Sequence, residues 1–131
     1  MTTKEMTAQN FAAMIETGTV LVDWWASWCG PCTTFGPIYE AAAARYPDMT
    51  FAKVDTGAQP GLAAAFGIRA IPTLMVFRDG ILLFREAGML PGAALDELIA
   101  RIGELDMNDV RARIAEAETR TAAKADKRRA S

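Results

Sequence analysis

The sequence predicts an α/β fold, and three observations carry that prediction. They are a near-continuous apolar run from Val20 to Ala26, alternating strand and helix signals around it, and an Asp-Gly turn between two later apolar segments. An unbroken apolar strand is one covered on both faces, which places it centrally in a sheet layered by helices. With 131 residues, 51% of them hydrophobic, the chain can close one ordinary core without disulfide staples or metals.

The elements follow in order. Phe11, Met14 and Ile15 recur at helical spacing behind Thr7, a residue able to cap, and Gly18 follows the last turn, so a first helix is expected there. The apolar run then supplies the central strand. Pro31 suits the first turn of a helix that the alanine-rich stretch Phe35–Arg45 continues, with Pro37 inside it as an expected kink. Thr50–Asp55 reads as a second core strand, and Leu62–Phe66 as a short helix closed by Gly67. Beyond Pro72, Thr73–Phe77 and Ile81–Glu86 read as strands joined by Arg78-Asp79-Gly80, where the Asp-Gly pair marks a tight hairpin. Pro91 opens a helix carrying Leu95, Leu98, Ile99 and Ile102 on one side.

From Met107 the character changes to helix-forming residues with few large apolar ones. The expected boundary therefore divides a working domain, residues 1–106, from a helical extension, residues 107–131. The extension holds 7 Lys and Arg against 4 Asp and Glu, net +3; the domain holds 7 against 12, net −5. Overall the formal charge is −2, so no positive field favours nucleic acid or an anionic membrane as a partner. No 18-residue apolar run is present, and the polar stretch from Met1 to Asn10 does not read as a secretion signal, so a cytoplasmic protein is expected.

The only two cysteines stand in Trp28-Cys29-Gly30-Pro31-Cys32, where a strand feeds a helix. In a reducing compartment this spacing points to redox use more than to a staple. Cys29, at the helix start, meets the positive end of the helix dipole and unpaired N–H groups that favour a thiolate; it is the expected attacker. Cys32, one turn further in, is the expected resolving thiol. A zinc site fails on ligand count, since four nitrogen or sulfur ligands are needed and the chain has two cysteines and no histidine. An inert cysteine pair in a core is the remaining alternative. Asp23 falls in the most buried strand, where desolvation raises a carboxyl pKa; the alternative is an Asp at a strand end reaching solvent.

The stretch Val22-Asp23-Trp24-Trp25-Ala26-Ser27-Trp28-Cys29-Gly30-Pro31-Cys32, followed by Ala70-Ile71-Pro72-Thr73 and joined by Lys53, Gly80 and Gly88, resembles the thioredoxin family over about residues 5–105. The tail resembles that of actinobacterial members. The resemblance implies a thioredoxin fold, a central mixed β-sheet flanked by helices, acting as a monomeric protein-disulfide reductase. It implies no bound cofactor or metal, a redox-active Cys29/Cys32 disulfide, and reduction by a thioredoxin reductase that draws on NADPH. Disulfide-containing client proteins would be the substrates.

By the same resemblance Asp23 is the proton acceptor and donor for Cys32, and Lys53 lies near that carboxylate; a lysine snorkelling from an edge strand is the alternative for Lys53. Pro72 would be cis and opposite the cysteines, leaving the Ile71 backbone free to pair with an extended substrate. Trp28, Gly30, Pro31, Ile71, Pro72, Gly88 and Met89 would form a shallow apolar docking groove, the alternative for Trp28 being plain core packing. Two residues depart from the family pattern: Thr33 replaces a usual Lys or Arg beside the second cysteine, and Thr56 interrupts a usual acidic pair. A thiol oxidase or isomerase on the same fold, and a binding module without redox chemistry, are the competing functions. Strong oxidants in this fold usually place His between the cysteines, which Gly30-Pro31 does not.

Overall fold

Val20, Leu21, Val22 and Trp24 are completely buried, as a strand covered on both faces requires. The computed structural model describes residues 3–130. Its elements are β1 (Thr3–Glu5), α1 (Phe11–Ile15), β2 (Thr19–Trp25), α2 (Gly30–Arg45), β3 (Thr50–Asp55), α3 (Pro60–Ala65), β4 (Thr73–Arg78), β5 (Ile81–Ala87), α4 (Gly92–Glu104) and α5 (Met107–Ala130). The strands form one sheet in the order β1-β3-β2-β4-β5. β3 runs parallel to both β1 and β2, while β4 runs antiparallel to β2 and to β5. The sheet is therefore mixed, and β2 lies at its centre.

Side chains alternate along β2 and sort the core into two layers. Val20, Val22 and Trp24 join Ala52, Val54, Met75 and Phe77 in a cluster with Phe11, Met14 and Ile15 of α1 and Leu62 and Ala63 of α3. Leu21, Asp23 and Trp25 consequently face the opposite side, where Tyr39 of α2 packs on Phe51 of β3 with ring centroids 5.3 Å apart. The Asp-Gly hairpin forms as expected: Asp79 and Gly80 take φ of 51° and 83°, the left-handed pair that a two-residue turn matching the twist of its strands demands.

One local expectation is corrected. Thr7 does not cap the first helix. Its N–H donates to Asn10 Oδ1 (2.8 Å) and its carbonyl accepts from Asn10 and Phe11, so a turn precedes α1, which spans the apolar positions Phe11 to Ile15. α2 is a single element of 16 residues with Pro37 inside it, where the sequence places that proline. β1 was not foreseen at all, because Thr3-Lys4-Glu5 is polar throughout and is a strand only by pairing with β3.

The chain divides into two compact units, the first ending at Glu97 and the second beginning at Leu98. In the first, Arg85 donates through its guanidinium to the carbonyls of Phe66 and Gly67, closing the end of α3. In the second, Asp106 accepts from the N–H groups of Asn108 (2.9 Å) and Asp109 (3.4 Å) and caps α5. Along α5, Met107 is buried and Ile114 is exposed.

Candidate active site

β2 ends at Trp25, and five residues later α2 begins, which leaves Trp28 and Cys29 on the link between them. Cys29 is the N-cap of α2. Its Sγ accepts a 3.2 Å hydrogen bond from the Cys32 N–H, and its own N–H donates to the Ala26 carbonyl (3.2 Å). The bond from Cys32 N–H is one that a thiolate at this position would strengthen, since it adds a donor to the positive helix end. The two sulfurs are joined as a disulfide, with Cα atoms 5.2 Å apart. Both cysteines are buried, with 8% and 5% of their surface exposed. The asymmetry between them thus lies in hydrogen bonding more than in access. Thr33 donates both its N–H and its hydroxyl to the Cys29 carbonyl, at 3.3 and 3.2 Å, so its side chain turns back onto the helix start.

The second motif arrives from a distant part of the chain. The Ile71–Pro72 peptide is cis, and the Ile71 carbonyl oxygen stands 3.5 Å from Cys29 Sγ. Ala26, Cys29 and Cys32 form a small buried cluster against which Trp25 and Ile71 pack. Gly88 adopts φ of 104°, open to glycine alone, and donates its N–H to the Pro72 carbonyl (2.8 Å), which brings the start of the next loop to the same place. Gly30, Pro31, Gly88 and Met89 are exposed, Ile71 is half-buried and Pro72 is buried. Trp28 is 72% exposed, so it is not a core residue; Trp24 is, whereas Trp25 is half-buried.

Asp23, on β2, has 1% of its area exposed. Its Oδ1 has no hydrogen-bond partner among the described residues. Loss of hydration pushes its pKa up to about 7; Lys53 pulls it down and Glu40 pushes it up, both to a smaller degree. Lys53 is the register partner of Asp23 across the parallel β2–β3 pair, and its ammonium stands 4.9 Å from the centroid of the Trp25 ring. β3 is flanked by β1, so Lys53 does not sit on an edge strand.

Sequence reasoning passed over two neighbours of Asp23. Tyr39 is wholly buried on the same side of the sheet and donates its hydroxyl to the Ala52 carbonyl (2.8 Å); burial raises its phenol well above the usual range, and the Asp23 charge adds to this. Glu40 accepts a 2.7 Å hydrogen bond from the Thr3 hydroxyl. The residue type gave the only signal: a tyrosine inside an alanine-rich helix calls for a hydroxyl partner when buried. No three His, Cys, Asp or Glu side chains gather into a metal site among the described residues. None of the described helices is long and apolar enough to cross a membrane.

Residues 2–101 match the family model described as Thioredoxin. The chain belongs to the thioredoxin family. A Streptomyces coelicolor relative named "Putative thioredoxin 2" is 51% identical over 115 residues, 87% of this chain and 86% of that one. Thioredoxins of Chlamydia muridarum and Chlamydia trachomatis are 45% and 41% identical over 92 and 93 residues, covering 70% and 71% of this chain and 90% and 91% of theirs. With the Cys29–Cys32 disulfide at the family's active-site position, the protein is a thiol-disulfide oxidoreductase of the thioredoxin type.

Proposed function

We propose that the protein is a cytoplasmic dithiol reductant in which Cys29 attacks, Cys32 resolves and Asp23 moves the proton. The observation that carries the reading is the Cys32 N–H directed at Cys29 Sγ, a hydrogen bond in one direction only. In the reduced protein, Cys29 thiolate attacks one sulfur of a client disulfide, forming a mixed disulfide and expelling the other client sulfur as a thiolate. Cys32 loses its proton to Asp23 and attacks Cys29 Sγ. The first client sulfur then leaves as a thiolate, and the client's two sulfurs take up protons. The client gains two electrons and two protons, and the Cys29–Cys32 disulfide forms in their place.

A carboxyl whose pKa burial raises to about 7 can both accept and return a proton near neutral pH. Lys53, at the same register, restrains that rise and helps keep the acceptor form populated. The Ile71 carbonyl beside Cys29 supports a client strand docked along Ile71, with Trp28, Gly30, Pro31, Pro72, Gly88 and Met89 around it. A thioredoxin reductase supplied by NADPH returns the disulfide to the dithiol. The family match ends at residue 101 and α4 at Glu104, which supports residues 1–106 as the working domain and 107–131 as an appendage. Insulin-disulfide reduction coupled to NADPH oxidation by a thioredoxin reductase tests the reading. Steady turnover is expected, and no turnover by the folded protein contradicts it.

A further inference from the structure

The exposed Trp28 rests on a loop that has been shaped to receive it. Asp55, at the end of β3, accepts from the N–H groups of Gly57 (2.9 Å) and Ala58 (3.3 Å), folding the loop over its own carboxylate. Thr56 donates both its N–H (2.9 Å) and its hydroxyl (3.0 Å) to the Trp25 carbonyl, fastening the loop to the end of β2 three residues before Trp28. Gly57 is thereby held against the indole. A methyl group at Gly57 would stand 3.0 Å from Trp28 Cζ3, 3.1 Å from Cη2 and 3.3 Å from Asp55 Oδ1. Gly57 is not among the glycines at positive φ, which are Gly18, Gly67, Gly80 and Gly88. Its backbone therefore accepts a side chain, and the indole, followed by the Asp55 carboxylate, is what opposes one.

We propose that Gly57 is a positioning residue for client docking: its missing side chain is the seat that sets the orientation of Trp28 beside Cys29. The loop is tied at two points, so it is the less able to move, whereas the ring has open solvent on its other side. A methyl at Gly57 displaces the ring outward and alters the surface that a client segment meets. The inference rests on the reductase reading for its consequence but not for its geometry.

The test is a double-mutant cycle with Gly57→Ala and Trp28→Ala, read by insulin-reduction kinetics and by the crystal structure of Gly57→Ala. In the otherwise native chain Gly57→Ala is expected to raise KM for insulin about threefold or more with kcat held within about twofold. In the Trp28→Ala background the same change is expected to alter KM by less than about 1.5-fold. An unaltered KM, or an equal rise in both backgrounds, overturns the proposal. Should Gly57→Ala alone fail to fold, the double variant decides: a folded double variant supports the seat, and an unfolded one overturns it. The crystal structure reads the ring directly, displaced if the seat is real and unmoved if it is not. A native chain that fails to reduce insulin sinks the reductase reading and leaves the ring position to decide the seat.

Discussion

Asp23 and Lys53 are register partners on adjacent parallel strands, yet the lysine ammonium stands over the Trp25 ring and Asp23 Oδ1 is left without a hydrogen-bond partner among the described residues. The carboxylate is thus buried beside a positive charge that moderates its desolvation without cancelling it. Its raised pKa is the result, and it makes folding proton-dependent.

Asp23→Asn should stabilise the protein, and only above mildly acidic pH. A carboxyl of pKa 3.8 in the unfolded chain and about 7 in the folded one binds its proton on folding. Between these values the folded state holds more protons, so stability falls as pH rises and levels off above about 7. Replacement by the amide should add about 2 to 4 kcal/mol at pH 8 and little at pH 4, at 1.36 kcal/mol per pKa unit. Urea unfolding of both proteins at the two pH values measures this. Equal stability at pH 8 would mean that the carboxylate is not desolvated.

Lys53→Met should move the same pH dependence upward. Removing the positive charge leaves burial and Glu40 acting together on Asp23, so the pH at which stability levels off rises above its native value. The cation–π contact with Trp25 goes as well, a loss of about 0.5 to 1 kcal/mol at a partly exposed site. The carboxyl resonance of Asp23 followed by NMR across pH 5 to 9 reports the shift. A midpoint that stays put or falls would remove Lys53 from the proton-handling group.

The reduced protein should be alkylated at Cys29 first. Cys29 Sγ has the helix start and the Cys32 N–H to stabilise a thiolate, and the two residues differ little in exposure. Mass spectrometry after a short iodoacetamide pulse near pH 7 should find Cys29 modified about tenfold or more ahead of Cys32. Comparable labelling of both would deny the hydrogen bond its role.

What the sequence disclosed about fold and site follows from which forces are local. Val20–Ala26 announced its burial through composition, and Asp79-Gly80 announced a turn through the backbone angles glycine permits. Thr50–Asp55 reads in sequence as a core strand, and its limits agree with β3. Thr3–Glu5 carried no such signal, because its strand character is imposed by Phe51, Ala52 and Lys53 across the ladder. The burial of Asp23 was legible from the run around it. The influence of Glu40 was not, since it depends on how α2 crosses the sheet, and Gly57 acquires meaning only once Trp28 is laid against it. Thr56 reads in sequence as a lost acid and in the structure as a clamp on the Trp25 carbonyl.

Truncation after Asp106 should leave insulin turnover within about twofold, because each residue assigned to the chemistry or the groove precedes α4. Steady-state assays of both lengths, each shown to be folded by circular dichroism, measure it. A loss of tenfold or so in the folded short form would bring the extension into the active unit.

Trapping of the mixed disulfide tests the central assignment most directly. Insulin is offered to the reduced Cys32→Ser and Cys29→Ser proteins, and the adducts are resolved by non-reducing electrophoresis and mass spectrometry. The account predicts that Cys32→Ser accumulates a stable adduct through Cys29, for lack of a resolving thiol, and that Cys29→Ser accumulates little. An adduct forming faster through Cys32 in the Cys29→Ser protein would reverse the roles of the two sulfurs and contradict the account.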